Sequence, residues 1–115
     1  QIETAEAVAN CAAIAAVDGV DAIFIGPSDL AASMGLLGQQ DHEDVVAAAL
    51  HCIEVVKKAG KKVGINAFNP TTAQKYIDAG VDFILVGADV AMLARSSEAL
   101  ADKYIGGDAG NRASY

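Results

Sequence analysis

Ile23-Phe24-Ile25-Gly26-Pro27-Ser28-Asp29-Leu30 is the stretch on which the fold turns. Three apolar, strand-favouring residues run into a Gly-Pro break, and a carboxylate follows at once. A continuous apolar run bounded by turn residues fits a strand buried on both faces, as in a parallel sheet covered by helices. In such sheets chemistry gathers where strands end and loops begin. Asp29 stands at that place, and Glu3 stands at the end of the strand expected before it.

Working outward, Gln1-Ile2-Glu3-Thr4 reads as a strand end passing into a helix. Thr4 caps it, Glu6 falls in its first turn, and Ala5, Val8, Ala12 and Ala15 give an apolar face through Val17. Asp18-Gly19 closes that helix, and Val20 to Ile25 is the strand. Leu30 to Leu37 is a short helix or an ordered loop, broken by Gly35 and Gly38. Asp41 begins the next helix, with Asp44 imitating a capping box. Its stripe is Val46, Ala49, Leu50, Ile53, Val56 and Lys57; it runs to about Lys58 and ends at Gly60 in the usual position after the cap. Lys62 to Ala67 is a third strand. Asn69-Pro70 opens a helix with proline at its first position, burying Ala73, Tyr76 and Ile77 and stopping at Gly80. Val81 to Val86 is a fourth strand, and a last helix covers about Asp89 to Tyr104 with Leu93, Leu100 and Ala101.

An internal echo supports the parse. Gly19-Val20-Asp21-Ala22-Ile23-Phe24-Ile25-Gly26 matches Gly80-Val81-Asp82-Phe83-Ile84-Leu85-Val86-Gly87 at an offset of 61 residues. That spacing holds two strand–helix units, so the two strands are alternate members of one series. The repeated βα alternation is that of a parallel sheet. The fold class is therefore α/β, and four such units make half of a (β/α)8 TIM barrel, which needs about 250 residues. Opening on a strand end, the chain is expected to supply the last four βα units over residues 1–105, with residues 106–115 as a C-terminal tail or arm.

Composition narrows the function classes. Hydrophobic residues make up 53% of the chain, enough for a packed core. The net charge of −7 argues against nucleic acid or an anionic membrane as partner. No apolar run approaches the roughly 20 residues that span a bilayer. Cys11 and Cys52 fall in helical patterns without metal-ligand spacing, so two buried free thiols and a reducing, cytoplasmic location are expected.

If the strands ending at Glu3 and Ile25 are parallel neighbours, they lie about 4.8 Å apart. Both carboxylates then emerge at one rim, within reach of one hard divalent cation. Such an ion takes one or two carboxylates at roughly 2.0–2.1 Å and leaves positions for water and substrate. It can hold a 2-oxo acid through its ketone and carboxylate oxygens and act as a Lewis acid on the enolate. No Cys/His set is spaced for zinc. Backbone N–H groups near Gly26 and Ser28 can receive the substrate carboxylate; Gly26 lets the backbone approach closely, and Pro27 stiffens the turn. On spacing alone, Glu3 serves equally as a helix-start residue and Asp29 as a cap for a following turn. Ser28-Asp29 lacks the flanking pattern of a nucleophile. His42 reads as a solvated residue at a helix start and His51 as a structural residue inside a helix. Asp89 is either a helix cap or a rim residue.

At Gln1-Ile2-Glu3-Thr4, Gly19-Val20-Asp21, Phe24-Ile25-Gly26-Pro27-Ser28-Asp29-Leu30 and Met34-Gly35 the sequence resembles the HpcH/HpaI family of class II, metal-dependent pyruvate aldolases. The likeness continues through Ala59-Gly60-Lys61, Gly64-Ile65, Val86-Gly87-Ala88-Asp89, Leu93-Ala94-Arg95 and the Ser114-Tyr115 ending. These are aldolases of the 4-hydroxy-2-oxoheptanedioate and 2-keto-3-deoxy-sugar-acid type. The resemblance implies a (β/α)8 barrel, a homohexamer with exchanged C-terminal helices, and a lyase that reversibly cleaves a 4-hydroxy-2-oxo acid to pyruvate and an aldehyde through a metal-stabilised pyruvate enolate. It assigns Glu3 and Asp29 as ligands of Mg²⁺, Mn²⁺ or Co²⁺, and Gln1 as a hydrogen-bond partner of pyruvate. Gly26, Pro27 and Ser28 would shape the pyruvate carboxylate site. Asn66 stands at a rim position where close relatives often carry an apolar residue, which bears on aldehyde preference.

The family's catalytic His and its oxo-acid-binding Arg belong to the first half of the barrel, and neither His42 nor His51 aligns with that His. By itself this chain is expected to be inactive. Two other readings remain: a citrate-lyase β-subunit-like lyase acting on CoA thioesters, for which no convincing phosphate site is visible, and a catalytically incomplete half-barrel that pairs with copies of itself.

Overall fold

Three parallel strands in sequential order form the sheet: β1 (Ala22–Ile25), β2 (Lys62–Asn66) and β3 (Phe83–Leu85). In this computed structural model residues 1–105 are described, and the tail expected over residues 106–115 lies outside them. Register runs Phe24 to Gly64 to Phe83 across the sheet. Ile2 adds a single parallel bridge to Ile25, its N–H donating to the Phe24 carbonyl at 2.9 Å and its carbonyl accepting from Gly26 N–H at 3.0 Å. The expected strand end at Gln1–Glu3 thus lies beside β1, and the two echoed segments flank β2 as alternate members. An α/β sheet in this order is the arrangement of part of a barrel.

Alternation along the strands separates two faces. Ile23, Ile25, Val63 and Ile65 are buried with Cys11, Ala15, Ala49, Cys52, Ile53, Val56, Ala73 and Tyr76, which the helices bring to one side. Those helices are α1 (Ala5–Ala9), α2 (Cys11–Ala15), α3 (Pro27–Ser33), α4 (Glu43–Lys58) and α5 (Pro70–Asp78). The other face carries Phe24, Gly64 and Phe83. The Phe24 and Phe83 rings stack with centroids 6.0 Å apart, and the Phe83 ring crosses Gly64 where any side chain would collide with it. α6 (Asp89–Tyr104) has no buried residue, and the described chain measures 55 × 27 × 22 Å.

Several expectations need correction. The first helix is two short ones, broken at Asn10 (φ −95°, ψ 6°), whose amide donates to the Glu6 carbonyl at 3.1 Å. Asn competes locally for backbone groups in this way. Its buried residues are Cys11 and Ala15; Ala5 and Ala12 are exposed, and Val17 lies beyond the helix. α3 begins at Pro27 rather than Leu30, because proline's fixed φ suits the first helical position. α4 is capped by His42 through Nδ1, which accepts from Asp44 N–H at 3.3 Å, so Asp41 precedes the helix. Its buried stripe adds Val45 and Cys52, while Leu50 is half-buried and Lys57 exposed. On α5 Thr72 is buried in place of Ile77. β1 and β3 are shorter than expected.

Candidate active site at the strand ends

Glu3 follows Ile2, and Gly26 follows Ile25, so these two residues stand level just past the paired strand ends. A Cβ on Gly26 would come within 2.9 Å of both Glu3 Cγ and Oε1. The Glu3 side chain therefore lies over the Gly26 backbone, in space that only glycine leaves. From Gly26 the chain turns into α3, whose first turn contains Pro27, Ser28 and Asp29. The Gly26 cap supplies no side-chain hydrogen bond to that turn, so the N–H groups that follow Pro27, at the positive end of the helix, are left to other partners.

One further contact ties the two carboxylate-bearing segments together. Ser33 Oγ, at the end of α3, accepts from Ala5 N–H at 3.0 Å, two residues after Glu3. Pro27 is buried and anchors the turn, while Ser28 and Asp29 are exposed. Asp29 and Ser28 line an open cleft of about 400 Å³ that also touches Gln40, Phe68 and Ala88. Gln1 and Asn66 fall on the same sheet face as Glu3 and Gly26, by strand alternation from the Ile2–Ile25 and Ile25–Ile65 pairs. Gln1 is exposed and Asn66 half-buried.

The donor set suits a hard cation. Two carboxylates at one rim match an ion that keeps several positions for water and substrate. Among the described residues no group of three or more His, Cys, Asp or Glu could hold a metal. His42 is committed to capping α4, and His51 is exposed on that helix. Asp89 lies in the first turn of α6 and accepts from Val90 N–H at 2.8 Å, with Ala88 at the cap. Tyr76 is a feature that sequence reasoning places only in the core. Its hydroxyl is fully buried and has no partner among the described residues. The signal available was a phenol on the buried side of a helix leading away from the rim.

Residues 1–96 match the profile of the HpcH/HpaI aldolase/citrate lyase family. The chain belongs to this family. It is 46% identical over 104 residues to a 4-hydroxy-2-oxo-heptane-1,7-dioate aldolase of Salmonella paratyphi B, a stretch covering 90% of this chain and 40% of that protein. Among solved structures, an HpcH/HpaI family protein from Burkholderia cenocepacia J2315 superposes with a TM-score of 0.82 at 42% identity, covering 90% of this chain and 40% of that one. The citrate synthase SbnG superposes with a TM-score of 0.79 at 31% identity, covering 89% and 42% respectively. The chain thus spans 40% of the length of the curated relatives it matches. Membership in an aldolase and lyase family is the level at which the sequence reading and these likenesses meet. No helix among the described residues is long and apolar enough to cross a membrane.

Proposed function

We propose that this chain carries the metal and pyruvate half of a metal-dependent aldolase that reversibly cleaves a 4-hydroxy-2-oxo acid to pyruvate and an aldehyde. The observation that carries the reading is the Glu3 carboxylate laid over Gly26, one helical turn from Asp29. In the assembled protein residues 1–105 would form the last four βα units of a (β/α)8 barrel, with residues 106–115 as an arm. Glu3 and Asp29 are the residues that would hold Mg²⁺, Mn²⁺ or Co²⁺. Bound there, the cation supplies Lewis acidity toward the ketone oxygen of the oxo acid.

The chain's own groups do the rest of the binding. N–H groups of the Ser28 turn receive the substrate carboxylate, helped by the dipole of α3. Gln1 donates a hydrogen bond to the oxo acid from the strand beside it, and Asn66 borders the aldehyde end. Neither histidine of this chain is free at the rim to serve as the base, so the proton is moved by a group from the rest of the protein. The exposed α6 suits exchange between neighbouring subunits of a hexamer, and the acidic net charge suits a small-molecule enzyme working in the cytoplasm.

The test measures pyruvate release from 4-hydroxy-2-oxo acids by the full-length protein with Mn²⁺, with and without chelator, beside Asp29→Ala. Release should stop with chelator and fall at least about 100-fold in the variant. Release indifferent to both removes Glu3 and Asp29 from the mechanism. Absence of release from every such acid, with cleavage of a CoA thioester instead, would move the assignment to the citrate-lyase side of the family.

A further inference from the structure

Below the rim, the first turn of α3, the loop before α4, the segment after β2 and α5 surround a cavity of about 10 Å³. Its walls include Pro27 and Ser28 after β1, Asp41 before α4, Asn66 at the end of β2, and Thr72 and Tyr76 on α5. Tyr76 is fully buried, and its hydroxyl is the buried side-chain polar atom without a partner among the described residues. A buried donor left unmade costs as much as a lost hydrogen bond, which is why such groups in folded proteins are joined to protein or to ordered water. Size and polarity decide what joins this one. A cavity of this volume is at the threshold for one water, about 10–15 Å³, and a buried water needs two to four polar partners. Hydroxyl, amide and carboxylate side chains all stand on this wall. Burial first, and the facing Asp41 carboxylate second, push the Tyr76 phenol up to about 12. It therefore remains a donor throughout the working range of pH.

We propose that the cavity holds one ordered water, which accepts from Tyr76 Oη and donates to the Asp41 carboxylate, and that Tyr76 through this water positions the Pro27–Ser28 turn. The water's second lone pair accepts from the Ser28 hydroxyl, and its remaining hydrogen turns to the Asn66 or Thr72 side of the wall. Because α5, the loop before α4 and the turn after β1 all line this cavity, one molecule links them beneath the groups that receive the oxo acid. This role rests on the proposed pyruvate site. Tyr76 touches no substrate, so it is a positioning residue.

The experiment compares full-length wild type with Tyr76→Phe, which keeps the ring and deletes the donor. High-resolution crystal structures should show a water within about 2.5–3.0 Å of Tyr76 Oη in the wild type, and its loss or displacement in the variant. KM for the oxo acid should rise about two- to tenfold, the range of one hydrogen bond, with kcat little changed. Asp41→Ala, on an exposed loop, repeats the test from the other side of the water and should give the same split. A Tyr76 hydroxyl bonded directly to a protein group overturns the water site. A water unmoved by Tyr76→Phe, or kinetic constants that stay put or shift together, overturns the positioning role. If the protein cleaves no oxo acid, the crystal structures still decide the water, so failure of the proposed function is told apart from failure of this inference.

Discussion

At Gly26 the backbone has φ −106° and ψ 90°, close to extended values that any residue adopts. The glycine is there for space, since a Cβ would meet Glu3 Cγ and Oε1 at 2.9 Å. Those atoms are the far end of a flexible side chain, so Gly26→Ala can be accommodated by swinging the carboxylate away. The backbone has no reason to break. We expect Gly26→Ala in the full-length protein to melt within a few degrees of wild type, yet to lose about 100-fold in pyruvate release, the scale of a misplacement near 1 Å. A melting curve and an initial-rate assay decide it. Wild-type rates in Gly26→Ala would show that the Glu3 position over Gly26 is incidental.

Among the elements, what is legible from the chain follows from how local each signal is. Apolar runs closed by Gly26 and Gly87 mark β1 and β3, Asn69-Pro70 marks the start of α5, and α6 takes the bounds its pattern implies. The break at Asn10 and the early start of α3 depend on one side chain's hydrogen bond and one ring's fixed φ, and periodicity carries neither. The carboxylate pair is legible as a spacing; the glycine seat under Glu3 and the orphan hydroxyl of Tyr76 are products of packing. So is the meeting of α2 and α4 through two thiols, with Cys11 Sγ donating to the Cys52 carbonyl at 4.0 Å. Burial, and then Cys11, push the Cys52 thiol up to about 12. An unfolded thiol ionises near about 8.5, so above that pH the unfolded state binds fewer protons than the folded one, and stability falls as pH rises. Denaturant unfolding should show this slope between about pH 8.5 and 10, before tyrosine ionises in the unfolded chain. Cys52→Ala should flatten the slope even as it lowers stability overall. An unchanged slope in Cys52→Ala would assign it to other groups.

For the whole molecule, the distribution of apolar surface is uneven. The helix-covered side of the sheet is closed, whereas Phe83, Leu85 and Val86 are exposed around β3. On α6, Leu93, Leu100 and Tyr104 are 72%, 58% and 72% exposed. With Ser97 between them they recur at four- and three-residue spacing, which makes one apolar seam along the helix. Exposed seams of this kind mark surfaces that bind protein. β3 lies at a sheet edge, so further strands of a barrel would cover its face, but α6 carries its seam on a helix with no buried residue. A neighbouring subunit is the partner that the proposed hexamer supplies. Leu93→Asp together with Leu100→Asp places two charges on that seam without touching the rim. In the full-length protein this pair should shift sedimentation from the wild-type oligomer to smaller species, while circular dichroism keeps its α/β signature. An oligomer of unchanged mass would mean that α6 folds back within its own subunit, and the exchange of C-terminal helices would then be excluded for this protein.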